Sequence, residues 1–346
     1  MSSTTEASSG AAGSSTVESV DDAYAATADV LRTGSRFLIT GHRNPDGDAL
    51  GSAIALALAL RAQGKHADVV VRDPWSSAYD WMPGIDTVVV SDALPAGWPA
   101  EYDALLTMEC PESERAGWPN LFAGRVINVD HHPGNTRYGE INLVDLPAAA
   151  VGEMIADLLD RLDWPLSRDI AVNLWVSLVS DTGSFKYGNT TAKALALAAR
   201  LVAEGARPDV ANEALFESAP LTAIRLEARV LSTLELHHEG RIATLELPET
   251  FFAETGARPN DTEGLVNRAR GIEGVRIAAL LREGDPGEIR CSLRSKGSID
   301  IRAVATRFNG GGHRNASGCR VPGTLATAKA VLVQELSLAL AADGTS

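Results

Sequence analysis

The sequence predicts an α/β protein in which a doubly wound, mainly parallel sheet is joined by a helical linker to a smaller α+β domain. Three observations carry this. Over the first half of the chain, short runs rich in Val, Ile and Leu alternate with stretches of helical length. Helical patterns then dominate residues 148–240. In the last third the rhythm changes again, with strands set around the turn Gly284-Asp285-Pro286-Gly287 and a closing helix. A chain of 346 residues is long enough for about two such domains.

Residues 1–20 are rich in Ser, Thr, Ala and Gly and read as a disordered tail rather than a signal peptide, since no basic region precedes an apolar stretch. Residues 36–41 (RFLITG) read as a buried strand and 48–63 as a helix ended by Gly64. Residues 66–72, 87–90, 104–108 and 125–129 are further strands, apolar enough to be covered on both faces. Helices are expected over 150–162, 167–180, 191–204, 208–217 and 221–238. Strands follow over 241–247, 275–281 and 288–293, then a helix over 300–308, a Gly-rich loop and an amphipathic helix over 325–341. The first domain is thus expected over 21–205, the linker over 206–240 and the second domain over 241–346.

Apolar residues make up 45% of the chain and charged residues 22%, which excludes a disordered protein and allows a sizeable core. Thirty-one Lys and Arg against 45 Asp and Glu leave a net charge of −14. That balance argues against a protein gripping duplex DNA with its whole surface. Charge is uneven: residues 268–320 hold eleven basic and five acidic side chains, a local +6 that leaves −20 elsewhere. The segment reads either as a solvated face or as a basic lobe opposite an acidic, cation-binding one. Cys110, Cys291 and Cys319 are odd in number and far apart in sequence. They suggest neither a disulfide framework nor a zinc ribbon, and a reducing, cytoplasmic setting is the simplest. The apolar run over 49–60 is too short to span a bilayer, so no membrane partner is expected.

The chemistry concentrates where the predicted elements end. Gly41-His42-Arg43-Asn44-Pro45-Asp46-Gly47-Asp48 joins the first strand to its helix, on the edge where doubly wound sheets bind ligands. It offers one imidazole and two carboxylates, with Pro45 and Gly47 tightening the turn. The alternative is a polar turn in which Asp48 only caps the helix. Asp130-His131-His132 closes another strand. Adjacent residues of an extended segment point opposite ways, so one histidine is expected to face a given ion and the other the substrate. Asp181 ends an apolar helix, where a carboxylate opposes the helix dipole unless a cation lies nearby. Glu109 ends the strand over 104–108. His42, Asp46, Asp48, Glu109, His131 and Asp181 include no thiolate and suit Mn2+ or Mg2+, with Zn2+ or Co2+ as alternatives. Cys110 reads as a core residue.

In the second domain, Gly310-Gly311-Gly312-His313 follows a strand carrying Arg294 and Lys296. Glycines let backbone amides approach an anion closely, and His313, Arg294 and Lys296 add positive donors, so phosphate binding is expected, the alternative being a merely flexible turn. His66 and the pair His237-His238 at the end of the linker carry no assigned chemistry. Asp145 and Glu153 read as surface or capping residues, and most of the six Trp as packing.

Together these motifs resemble the DHH/DHHA1 family of phosphoesterases, in particular its bacterial oligoribonucleases that also dephosphorylate 3′-phosphoadenosine 5′-phosphate. The matching stretches are His42 to Ala49, Asp130-His131-His132, Ser180-Asp181-Thr182-Gly183, Ser292 to Lys296 and Gly310 to His313. The resemblance implies two divalent ions, usually Mn2+. One is held by His42, Asp46 and residue 109, the other by Asp48, residue 109, His131 and Asp181. The family usually bridges with Asp, so Glu109 is a departure whose extra methylene alters the metal separation or the approach of its strand. Asn309, where glycine commonly stands, is a smaller one.

The resemblance further implies that His132 contacts the phosphate or the leaving oxygen, with Asp130 orienting the neighbouring histidines. Arg115 matches a family arginine near the bridging carboxylate. The second domain then grips the far phosphate through Gly310, Gly311, Gly312, His313, Arg294 and Lys296. The implied reactions are hydrolysis of short RNA oligomers and linear dinucleotides to mononucleotides, and removal of the 3′-phosphate of 3′-phosphoadenosine 5′-phosphate. Partners are then short single-stranded RNA and nucleoside bisphosphates, not duplex DNA, and a homodimer is compatible. A single-strand-specific exonuclease is disfavoured because nothing is left over for an extra strand-binding domain. A nucleotide-binding regulatory module with weak catalysis is the reading from a different class. A pyrophosphatase is disfavoured by the Gly310 to His313 motif.

Overall fold

A computed structural model describes residues 19–262 and 264–343. The tail expected over 1–20 lies outside them except at its end, where Ser19 caps and Val20 opens a helix, α1 (Val20–Thr33). The Ser19 hydroxyl accepts the Asp22 N–H while the Asp22 carboxylate accepts the Ser19 N–H, a reciprocal cap hidden within Ser-rich composition.

The chain continues through β1 (Arg36–Thr40), α2 (Gly47–Ala62), β2 (His66–Val71), β3 (Val88–Val90), β4 (Ala104–Met108), β5 (Val126–Asp130) and β6 (Ile141–Val144). Helices α3 (Val151–Arg161), α4 (Arg168–Asp181), α5 (Ala192–Ala203), α6 (Pro208–Phe216) and α7 (Leu221–Leu231) follow. The six strands make one all-parallel sheet in the order β3-β2-β1-β4-β5-β6. Strand order reverses between β1 and β4, so the loops leaving those strands open the crevice where such sheets bind ligands. Leu50, Ile54, Met154, Leu174 and Leu178 pack with Ile39 and Leu106 in the core under the helices. Leu38 and Leu105 face the other side, under Trp98, Trp118 and Leu121. Glu153 is not a surface residue: it is 2% exposed, with Lys193 Nζ 3.0 Å from its carboxylate.

The helix expected over 221–238 stops at Leu231. The hydroxyl of Thr233 accepts the Glu246 N–H at 2.8 Å, and Glu235–His237 becomes an edge strand, β7. His237 and His238 therefore sit at a strand end and a turn, not in a helix. β8 (Ile242–Leu247), α8 (Thr250–Thr255), α9 (Leu265–Arg270), β9 (Ile277–Glu283), β10 (Glu288–Ser295), α10 (Ile301–Arg307), β11 (Gly311–His313), β12 (Ala316–Pro322) and α11 (Leu325–Asp343) complete the chain. The second sheet has the order β11-β12-β10-β9-β8-β7, with β8 and β9 parallel and the other pairs antiparallel. Helices α10 and α11 cover one face, and α7, α8 and α9 the other. Among the described residues α11 is the one helix long and apolar enough to cross a membrane. Its Ala328, Leu332, Leu336 and Leu340, one turn apart, are buried in the core of this second lobe.

The Gly-rich turn is a correction. Gly311 pairs with Gly318 and His313 with Ala316, so the stretch is strand β11 of a hairpin. A Cβ on Gly310 would run into the Gly318 carbonyl oxygen, and one on Gly312, at φ +127°, would lie 2.6 Å from the Ala316 oxygen. These glycines permit close strand approach.

Candidate metal centre

The centre is assembled by a tight crossing of α2, α3 and α4. A Cβ on Gly47 would strike the Ser180 hydroxyl, one on Gly51 the Asn173 carbonyl, and one on Gly152 the Ser177 hydroxyl. Small residues thus let the start of α2, bearing Asp46 and Asp48, lie against the end of α4, bearing Asp181. Asp46, rather than Asp48, caps α2: its Oδ1 accepts the N–H groups of Asp48 and Ala49, each at 3.1 Å. Asp48 is fully buried and accepts from Val151 N–H (2.8 Å), Gly152 N–H (3.1 Å) and the Ser177 hydroxyl (2.5 Å).

Glu109 leaves the end of β4 in the left-handed region, φ 59°, which turns its side chain into the crevice between the β1 and β5 loops. Donor atoms of His42, Asp46 and Glu109 lie within 4.8 Å of one another, as do those of Asp48, Glu109, His131 and Asp181. Glu109 belongs to both groups. It belongs also to a third, with His131, His132 and His313. The six residues expected as metal ligands therefore occupy one cluster.

Three imidazoles are fixed by their Nδ1 atoms. Nδ1 of His42 donates to the Arg43 carbonyl at 2.8 Å, that of His131 to the Ala148 carbonyl at 2.9 Å, and that of His132 to the Asp130 carboxylate at 2.9 Å. Carbonyl and carboxylate oxygens accept only, so Nε2 of each neutral ring presents a lone pair. His131 Nε2 is buried without a hydrogen-bond partner, 3.5 Å from Asp181 and 3.8 Å from both Asp48 and Glu109. A lone pair facing three carboxylates is repulsive unless a cation lies between them, and this donor set fits a divalent ion.

The electrostatics agree. Burial, reinforced by Glu109, pushes the Asp48 carboxyl well above its usual range. Burial and the charges of Glu109 and Asp46 push Asp181 up to about 7. Against the cost of burial, the neighbouring His131 and His42 imidazoles hold Glu109 well below its usual value. Metal loading must displace protons from this cluster, so affinity falls as pH drops.

The placement of the two adjacent histidines corrects the sequence expectation. The chain leaves the strand at Asp130, so both rings turn into the cleft, 5.2 Å apart, and both face Glu109. Asp130 is fully buried and also accepts from Asn135 Nδ2 at 2.5 Å. Sequence reasoning missed Asn135, Ser177 and Asn189, whose amide donates to the Ala149 carbonyl (2.9 Å) and the Asp181 carboxylate (3.3 Å). One signal was available: Ser177 stands one helical turn before Asp181 in a mainly apolar helix. Ser177→Ala is expected to lower affinity for Mn2+ by about 10–100-fold, read by calorimetric titration. Unchanged affinity would mean that the hydroxyl does not orient Asp48.

The second lobe closes over this centre. His313 stacks on His132 with ring centroids 4.0 Å apart, and lies 5.3 Å from the His131 ring. Burial, then the neighbouring His132 and His131, hold His313 down to about 3, so it is a neutral group and not the positive donor expected. Arg294 lies on β10 near enough to influence His313, and Lys296 Nζ donates to the Ile272 carbonyl at 3.2 Å. Arg115 is exposed in a short 3-10 turn whose carbonyl accepts the Arg43 N–H at 2.8 Å. Across the cleft Arg302 donates to the Pro133 carbonyl at 2.7 Å, and the Arg270 guanidinium stands 5.0 Å over the Tyr187 ring.

A parallel sheet with a carboxylate–imidazole centre at its switch point, closed by a second sheet domain, defines a class of phosphoesterases. The model of the DHH family N-terminal domain matches residues 36–177 and that of the DHHA1 domain residues 240–341. The chain belongs to the DHH family and is a phosphoesterase. It is 33% identical over 287 residues to the bifunctional oligoribonuclease and PAP phosphatase NrnA of Thermus thermophilus, covering 82% of this chain and 84% of that one. The protein of the same name from Bacillus subtilis is 27% identical over 302 residues, 85% and 92% of the two chains. A crystal structure of an exopolyphosphatase-related protein from Bacteroides fragilis superposes with a TM-score of 0.84 at 25% identity, covering 92% and 96%.

Proposed function

We propose that this phosphoesterase hydrolyses short RNA oligonucleotides, linear dinucleotides included, to mononucleotides and removes the 3′-phosphate of 3′-phosphoadenosine 5′-phosphate. The observation that carries the reading is a cluster of six donor residues around Glu109, faced by a hairpin from a basic lobe. The relatives named as oligoribonuclease and PAP phosphatase support the same substrates. His42, Asp46 and Glu109 would hold one divalent ion, and Asp48, Glu109, His131 and Asp181 the other, with Mn2+ preferred over Mg2+, Co2+ or Zn2+. Bound there, such ions would activate water as a nucleophile and polarise the phosphate oxygens.

The rest falls to the chain. Asp130 fixes the His132 ring, so that Nε2 is aimed to deliver a proton to the departing ribose oxygen. Arg294, Lys296 and the Gly310–Gly312 backbone hold the far phosphate, with Arg115 at the rim. The local positive charge of residues 268–320 lets an acidic protein bind an anionic substrate.

The test is a length series in Mn2+ with and without chelator. Two- to five-residue RNAs are expected to release nucleotides far faster than a long single strand, and chelator to stop release. Equal rates on long DNA would favour the exonuclease; binding without turnover, indifferent to Asp181→Ala, would favour the regulatory module. Arg294→Ala is expected to raise KM about tenfold or more with kcat little changed.

A further inference from the structure

Cys291 and Cys319 are far apart in sequence, yet in the register of β10 and β12 they face each other directly. Directly opposed residues of antiparallel strands share a face, with Cα atoms about 4.5–5.5 Å apart. That lies inside the span of roughly 4.4–6.8 Å that a disulfide tolerates. Both side chains are buried, 3% and 7% exposed, in the core under α10 and α11. The Cys291 thiol donates to the Ile289 carbonyl at 3.7 Å, and the paired thiols shift in opposite directions, Cys319 below its ordinary value and Cys291 above it. Cys319 is therefore the better nucleophile.

We propose that Cys291 and Cys319 are a reversible disulfide site that lets a hydroperoxide reset the substrate-facing hairpin. The Cys319 thiolate attacks a peroxide oxygen, the O–O bond breaks, and the product is a sulfenic acid plus hydroxide, which takes up a proton as water. The Cys291 sulfur then attacks the Cys319 sulfur and expels the sulfenic hydroxyl, which leaves as water with the Cys291 proton. The two sulfurs lose one electron each, and the peroxide gains both. A small-molecule thiol returns the pair to its reduced form by exchange. Strand β11, only three residues long, is the edge cover of β12, so its local opening gives the oxidant access.

The coupling is mechanical. A disulfide draws opposed Cβ atoms from about 4.5–5.5 Å to about 3.8 Å. Gly310, at the entry to β11, packs directly on this position: a Cβ there would lie 2.6 Å from the Cys319 Cβ. The shift passes through the β11–β12 pairing to His313, which rests on His132. Oxidation is thus expected to weaken the hold of the second lobe on substrate rather than the chemistry at the metals.

The experiment exposes the folded, full-length protein to hydrogen peroxide, alkylates free thiols on unfolding, and maps peptides without reduction. A Cys291–Cys319 linked peptide is expected, with Cys110 alkylated and the link reversed by dithiothreitol. The oxidised protein is expected to show a KM for short RNA raised about tenfold with kcat little changed. Cys319→Ala should be insensitive to peroxide, whereas Cys291→Ala should form no link and stop at an oxidised Cys319, a sulfenic acid trapped by dimedone. No link, or a link formed only in denaturant, overturns the site; a link with KM unmoved overturns its coupling to the hairpin. The mapping needs no substrate, so it is independent of the proposed RNA activity.

Discussion

Asp181→Asn is expected to cut turnover of a short RNA by about a thousandfold or more while raising the melting temperature of the chelator-treated protein. The two effects have one origin. Asp181 shares a buried field with Glu109 and Asp46 that pushes its carboxyl from 3.8 to about 7. A raised carboxyl pKa means that the ionised form is disfavoured in the fold. The resulting loss of stability sets in as pH rises from 3.8 and is complete above about 7. An amide of the same shape carries no such charge, so the gain should be full at pH 8 and absent near pH 3. A gain of only about 1 kcal/mol would move the midpoint by roughly 2 °C or more. Added Mn2+ should then raise the wild-type midpoint by mass action and the variant much less. A variant that melts no higher without metal, yet still gains with Mn2+, would place Asp181 outside the metal field.

Asp130→Asn is expected to lower kcat by about 10²–10⁴-fold without changing Mn2+ affinity. Asp130 accepts two donors at once, His132 Nδ1 and Asn135 Nδ2, and an amide offers a single acceptor oxygen for both. One donor must face the new NH2 group, so the His132 ring loses its tautomer or its orientation. The readout is kcat on a short RNA, lowered alongside an unchanged Mn2+ titration. Full activity would remove His132 from the proton path.

Much of this was legible in the sequence because the chemistry sits where patterns break. β1, β4 and β5 are apolar runs that end on His42, Glu109 and Asp130-His131, and α4 is an apolar helix that ends on Asp181. What was not legible is non-local. The convergence of His131 and His132 depends on the chain leaving its strand at Asp130, which no alternation rule contains. Ser177 and Asn189 act through α2 and the Ala148–Gly152 turn, far off in sequence. β7 and β11 are three residues long and owe their form to pairing, so propensity alone reads them as helix and loop. Glu153 is drawn inside by its approach to Lys193, and the cysteine pair exists only once β10 and β12 are in register.

The ties across the cleft, Arg302 to the Pro133 carbonyl, Arg270 to the Tyr187 ring and His313 stacked on His132, are modest. Contacts of these kinds are worth about 0.5–1.5 kcal/mol each. A ligand that reaches both lobes is therefore a staple as well as a reactant, and its distal half helps hold the jaws in the reactive alignment. Phosphate esters that offer the second lobe no handle, such as a simple aryl phosphate, should then suffer in turnover rate and not merely in occupancy.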